Sequence, residues 1–130
     1  MPDETTTLIY VVDDDASVRK ALAMLFRSTD MAVKTFEAAE DLLKFQLREQ
    51  NTCLISDIKL KGLSGIELQQ QLAERGIKIP VIFLTAFDSD EIRQQAKQGG
   101  AAGYFRKPVD DQALIDTIHW ALSSDSSWKE

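Results

Sequence analysis

Cys53-Leu-Ile-Ser-Asp57, continued by Ile58-Lys-Leu-Lys-Gly-Leu-Ser-Gly65, decides how this chain folds. Residues with the character of a buried strand run directly into a carboxylate. A glycine-bearing loop and a helical period from about Ile66 come next. In open parallel sheets the carboxyl ends of the strands face the crevice where ligands bind. Asp57 therefore stands where a reactive group is useful. A lone Asp after a strand is more often a turn former or a helix cap. The decision rests on what other segments bring to the same edge.

Outward from this stretch, apolar runs alternate with helical periods. Toward the N-terminus, Leu8-Ile-Tyr-Val-Val12 reads as a fully buried strand. Ala16 to Ser28 follows as a helix packing one face through Val18, Leu22, Leu25 and Phe26. Ala32-Val-Lys-Thr-Phe36 alternates only in part and reads as an edge strand. A second helix is expected from Ala38 to about Arg48, with Leu42, Leu43 and Leu47 on its apolar face. Toward the C-terminus, a third helix carries Leu68 and Leu72 to Glu74 and stops at Gly76. Pro80 opens the strand Val81-Ile-Phe-Leu-Thr85. Asp88-Ser-Asp-Glu91 then starts a fourth helix that ends at Gly99-Gly100. Only Ile92 and Ala96 form its apolar stripe, so it is expected to be the most loosely held helix. Gly103-Tyr-Phe-Arg106 is the fifth strand, ended by Lys107-Pro108. Asp110 caps a fifth helix whose Leu114, Ile118, Ala121 and Leu122 face inward.

Composition sets the limits. The 130 residues suit one domain, and 44% hydrophobic content suffices for a core. Fifteen basic residues against 21 acidic ones give a net charge of −6, which disfavours direct nucleic-acid binding by this chain. No stretch approaches the roughly 20 apolar residues of a membrane helix. Met1-Pro-Asp-Glu-Thr-Thr-Thr lacks the form of a signal peptide. The single cysteine, Cys53, lies within an apolar strand, so no internal disulfide forms and Cys53 reads as packing. A cytoplasmic setting is expected. One domain is expected over 8–122, with a flexible N-terminus at 1–7 and a Ser-rich linker or tail at 123–130.

Five strands alternating with five helices imply a parallel sheet covered on both faces. Right-handed crossovers favour the flavodoxin-like order 2-1-3-4-5, with strands 1 and 3 adjacent at the switch point. Their ends carry Asp13-Asp14-Asp15 and Asp57, and strands 4 and 5 end beside them with Thr85 and Lys107. Clustered carboxylates repel one another unless a cation intervenes. Lys107 neutralises one of them but not the group. A hard divalent ion, Mg²⁺, is the natural remedy, because it takes one or two carboxylates and recruits phosphate oxygens. Asp13 and Asp14 read as ligands, and Asp15 as the cap of the first helix. A carboxylate in such a place can act as a nucleophile on phosphorus, with Lys107 and the metal stabilising charge and Thr85 donating a hydrogen bond.

The chain resembles the receiver domains of two-component response regulators over roughly residues 8–122. The matching residues are Val12-Asp13-Asp14, Asp57, Thr85-Ala86 and Lys107-Pro108, each set at a strand end. The resemblance implies the CheY-like form of the flavodoxin-like fold. It implies phosphorylation of Asp57 by a sensor histidine kinase or histidine phosphotransfer protein, with Mg²⁺ held by Asp13, Asp14, Asp57 and the backbone carbonyl of Lys59. It also implies a cis Lys107-Pro108 bond, a switch through Thr85 and Tyr104, and self-association or an output contact after phosphorylation. Such a domain is not an enzyme beyond the gain and loss of its own phosphate. The strand 3 and strand 4 segments are most similar to regulators with a LuxR-type helix-turn-helix output, which points to transcription regulation by a domain outside this chain. A stand-alone receiver acting by protein contact is the alternative. The family often has Met-Pro in the loop after the phosphoacceptor, where this chain has Leu60-Lys61. Loss of that proline relaxes the loop, while Gly65 keeps the turn.

Two other classes fit less well. A flavin-binding module needs a Ser/Thr/Gly-rich phosphate loop after strand 1, where three acids stand. A phosphohydrolase with an aspartate nucleophile places a second acid two residues on, and here that residue is Lys59. His119 reads as a solvated side chain and Trp120 as an outward-facing residue of the fifth helix.

Overall fold

The computed structural model describes residues 5–123. In chain order the elements are β1 (Leu8–Val12), α1 (Ala16–Ser28), β2 (Ala32–Phe36), α2 (Ala39–Leu43) and β3 (Thr52–Asp57). They continue with α3 (Gly65–Glu74), β4 (Val81–Thr85), α4 (Asp90–Gln98), β5 (Gly103–Arg106) and α5 (Asp111–Leu122). The five strands are parallel in the order β2-β1-β3-β4-β5, the expected flavodoxin-like arrangement. Every residue of β3 and β4 is buried, as unbroken apolar runs require when helices cover both faces. β2 is an edge strand, and its partial alternation follows from that position.

Successive strand residues point to opposite faces, so the sheet divides the core in two. Tyr10, Val12, Leu54, Val81 and Phe83 meet Ala39 and Leu42 of α2, Leu68 and Leu72 of α3 and Ala96 of α4. Ile9, Val11, Cys53, Ile55, Ile82 and Leu84 meet Leu22 and Phe26 of α1 and Leu114, Ile115 and Ile118 of α5. Burial pushes the Cys53 thiol up to about 12, so at neutral pH it is a protonated packing group. Among the described residues, no helix is long and apolar enough to cross a membrane.

Local chemistry fixes the helix starts. Asp15 caps α1 by accepting from the Ser17 amide, Ser89 caps α4 and Asp110 caps α5. Ser64 and Glu67 form a reciprocal capping box on α3, and losing such a cap typically costs about 1 kcal/mol. α4 buries only Ala96.

α2 departs from expectation. It spans Ala39–Leu43 and does not reach Arg48. Its apolar period continues through Leu47, but the backbone that would extend it is engaged elsewhere. The Arg48 amide donates to the Tyr10 hydroxyl at 2.8 Å, and Phe45 packs edge-on against Tyr10 and Phe36. Arg75 caps the helix end through the Leu43 carbonyl at 2.9 Å. Of the stretch expected to be flexible at the N-terminus, Thr5–Thr7 are held by bonds to Asn51, Arg48 and Ala32. Of the expected tail only Ser123 is described. Trp128 lies outside the described residues.

Candidate functional site

Four strand ends deliver the site, as the order of the sheet requires. β1 brings Asp13 and Asp14, β3 brings Asp57, β4 brings Thr85, and β5 brings Lys107 just after its last residue. Asp13 and Asp57 are 2% and 8% exposed, and Thr85 is fully buried. Lys107 Nζ lies 2.9 Å from Asp13 Oδ2 and 2.9 Å from Asp57 Oδ2, bridging the two acids. Burial depresses the Lys107 ammonium. The hydrogen bonds and charges of Asp13 and Asp57 outweigh that effect and hold it above the ordinary lysine range. The Lys107-Pro108 peptide bond is cis, as the resemblance implied.

The acids are oriented from behind. The Asp15 amide donates to Asp13 Oδ1 at 2.9 Å, and Arg19 Nη1 donates to the Asp13 carbonyl at 2.7 Å. The Lys59 amide donates to Asp57 Oδ1 at 3.3 Å. Ser56 Oγ donates to the Asp57 carbonyl at 2.8 Å. A carboxylate oxygen from each of Asp13, Asp14 and Asp57 lies within 4.8 Å of the others. Three hard oxygen donors so close together fit a hard divalent cation, and the single ammonium of Lys107 leaves the group net negative. Asp15 does not join them. Its carboxylate accepts from both Ser17 Oγ and the Ser17 amide, bonds that lower its pKa.

The remaining expected residues sit at the mouth and along β5. Thr85 Oγ1 accepts from the Phe87 amide at 3.0 Å, a bond that leaves the threonine proton available to another acceptor. Tyr104 lies opposite Phe83 in the sheet register, with the Arg93 guanidinium 5.5 Å from its ring centroid. Burial, and then the nearby Asp88 carboxylate, raise the pKa of the Tyr104 phenol. Tyr104 Oη and Asp88 Oδ1 are nonetheless both buried without a well-formed hydrogen bond. Arg93 pairs with the other oxygen of Asp88. His119 and Trp120 are exposed on α5, as expected.

Sequence reasoning passed over four residues here. Arg19 and Ser56 carried a signal: one begins the second turn of α1 beside the acids, and the other is the polar residue next to Asp57 in a buried strand. Phe87, 57% exposed, lies under Lys59 Nζ with 4.4 Å between the ammonium and the ring centroid. Glu40, from α2, accepts the Leu63 amide in the β3–α3 loop. Neither pairing has a local signature, since the partners come from separate crossovers.

Two buried acids bridged by a lysine, with the half-buried Asp14 beside them, stand at the carboxyl edge of a 2-1-3-4-5 sheet, where a flavin-binding module would need a phosphate loop in place of the acids. The chain belongs to the response regulator receiver domain family, which matches residues 9–119. It is 40% identical over 115 residues to the transcriptional regulatory protein TdiR of Thauera aromatica, covering 88% of this chain and 51% of that protein. Among solved structures, response regulator StyR superposes with a TM-score of 0.83 at 40% identity, over 90% of this chain and 59% of that one. FixJ-N does so with a TM-score of 0.80 at 32% identity, over 92% and 93%. The chain thus spans about half the length of TdiR.

Proposed function

We propose that this receiver domain takes a phosphoryl group onto Asp57 from the phosphohistidine of a sensor histidine kinase or histidine phosphotransfer protein, in a Mg²⁺-dependent reaction. The observation that carries this reading is Lys107 Nζ at 2.9 Å from both Asp13 and Asp57, beside three clustered carboxylates. An Asp57 carboxylate oxygen attacks phosphorus. The new O–P bond forms as the N–P bond of the donor breaks, and the donor imidazole leaves with the electron pair. Lys107, kept charged by its two acids, moves its hydrogen bond from Asp57 to a phosphoryl oxygen. Thr85 donates its free proton to a second phosphoryl oxygen. Asp13, Asp14, Asp57 and the Lys59 carbonyl would hold Mg²⁺, which when bound supplies positive charge against the phosphoryl oxygens and relieves repulsion among the acids. The only turnover is the domain's own phosphate.

Movement of Thr85 toward the phosphate opens space beside β4. Tyr104 turns into that space, and α4, anchored by little apolar surface, follows. The face formed by α4, β5 and α5 then changes shape, favouring self-association or contact with an output domain. That output is transcription regulation in the cytoplasm, through a LuxR-type helix-turn-helix domain following the receiver unit at 8–122. The name of TdiR as a transcriptional regulatory protein supports a transcriptional output. With Mg²⁺, acetyl phosphate should add one hydroxylamine-labile phosphate, and Asp57→Asn should abolish it. Labelling of the Asn variant at the wild-type rate would overturn the assignment.

A further inference from the structure

The β3–α3 loop, residues 58–64, has to present the Lys59 carbonyl beside Asp57, yet it contains no proline to stiffen it. Its two ends are held from within. The Lys59 amide bonds Asp57 Oδ1, and the Gly65 amide donates to the Ile58 carbonyl at 2.7 Å. Gly65 lies so close to β3 that a Cβ there would come within 2.2 Å of the Asp57 carbonyl oxygen. The middle of the loop is held from outside. Glu40 reaches across from α2, and its Oε2 accepts the Leu63 amide at 3.2 Å.

Gly62 makes room for that carboxylate. A Cβ at Gly62 would lie 2.2 Å from Glu40 Oε2, and the residue has φ of +79°, which disfavours any side chain. The other carboxylate oxygen, Oε1, is buried and has no hydrogen-bond partner among the described residues. Leaving a buried carboxylate half satisfied costs stability. A carboxylate kept there at that cost, fitted to the one place in the loop without a side chain, acts on the loop.

We propose that Glu40 is a positioning residue for the phosphoacceptor site, clamping the β3–α3 loop at Leu63 and thereby fixing the Lys59 carbonyl for the metal. The inference rests on the Mg²⁺ reading given above. Groups that orient a metal ligand typically alter metal affinity 10- to 100-fold when removed, and a clamp four residues from the ligand belongs at the low end.

The test is Mg²⁺ affinity by titration calorimetry together with amide hydrogen exchange over residues 58–64, for wild type, Glu40→Ala, Glu40→Gln and Gly62→Ala. Glu40→Ala should weaken Mg²⁺ binding about tenfold and speed exchange in the loop even without metal. Glu40→Gln keeps an acceptor for the Leu63 amide and should recover most of both. Gly62→Ala, which displaces the carboxylate and strains the loop backbone, should lose at least as much as Glu40→Ala, and the double variant should lose less than the sum of the two single losses. If Glu40→Gln loses as much as Glu40→Ala, the residue acts through charge and the clamp is refuted. An unchanged affinity and exchange in Glu40→Ala refutes it equally. A wild type that binds no Mg²⁺ instead overturns the reading of the site.

Discussion

Replacing Lys107 with Met removes the one cation that, among the described residues, pairs with both buried acids, and leaves their side chains, 3% and 10% exposed, facing each other. Taking one partner from a buried pair typically costs about 3–5 kcal/mol. Lys107 is itself 21% exposed, so solvent screens part of the interaction and about 2–3 kcal/mol is expected. For a domain of this size each kcal/mol moves Tm by about 3–5 °C, giving a fall of roughly 10 °C without metal. Mg²⁺ at the proposed site would supply the missing charge, so it should raise the Tm of Lys107→Met by more than it raises the wild type's. The pH dependence follows from the raised pKa of Lys107 in the fold. Its stabilisation is fully present below the ordinary value of 10.5 and is lost as pH climbs through the higher folded value. Wild-type stability should therefore fall in that alkaline window through this group, and the variant should lack that component. Calorimetric scans with and without Mg²⁺, from neutral to alkaline pH, read all three effects. A metal-free variant as stable as wild type, or one with no larger response to Mg²⁺, would show that the bridge does not hold the acids together.

Thr85→Ala should still accept phosphate from acetyl phosphate but should lose the change in hydrogen exchange that beryllofluoride produces across α4 and β5 in the wild type. An unchanged wild-type pattern with the mimic demonstrably bound would sink the switch. Charge reversal at Lys20, exposed on α1 beside Arg19 and Arg27, should slow phosphotransfer from the cognate kinase more than from acetyl phosphate. Equal slowing of both would place the defect within the site.

The parts of this molecule that were readable in the sequence are those whose cause is local. β3 and β4 are legible because each is a short unbroken apolar run bounded by turn residues, Gly62 and Gly65 after β3 and Pro80 before β4, too short for a buried helix. The site could be gathered because each of its residues ends a strand or directly follows one, so the sheet order alone brings Asp13, Asp57, Thr85 and Lys107 to one edge. The second helix misled for the opposite reason. Leu42, Leu43 and Leu47 keep a helical period, but Tyr10, 38 residues before Arg48, claims the amide that would have continued the helix. Glu40 and Gly62 likewise look unremarkable apart, an acid in a first turn and a loop glycine. Only packing of α2 against the next crossover makes them a pair.

The resting arrangement around α4 bears on how little energy the proposed switch needs. Moving an equilibrium from 1:99 to 99:1 takes a differential affinity of about 5.5 kcal/mol, the worth of about two to four hydrogen bonds to one charged phosphoryl group. The distance to be covered is shorter if the resting state is poorly satisfied. Gln69 holds the C-terminal end of α4 with a 3.1 Å bond to the Ala96 carbonyl, and Arg93 ties its first turn to Asp88. Between these ties, Tyr104 Oη and Asp88 Oδ1 remain buried without a well-formed bond. The Asp88 carboxylate is nonetheless close enough to raise the pKa of the phenol, so the contact is imperfect rather than absent. A move of Tyr104 inward, away from Asp88, gives up only that imperfect contact and frees the carboxylate oxygen to meet solvent. The phosphoryl group then has to supply the differential, through Thr85 and Lys107. A helix with one buried residue, resting on an imperfect contact, is the element on which the proposed switch would draw.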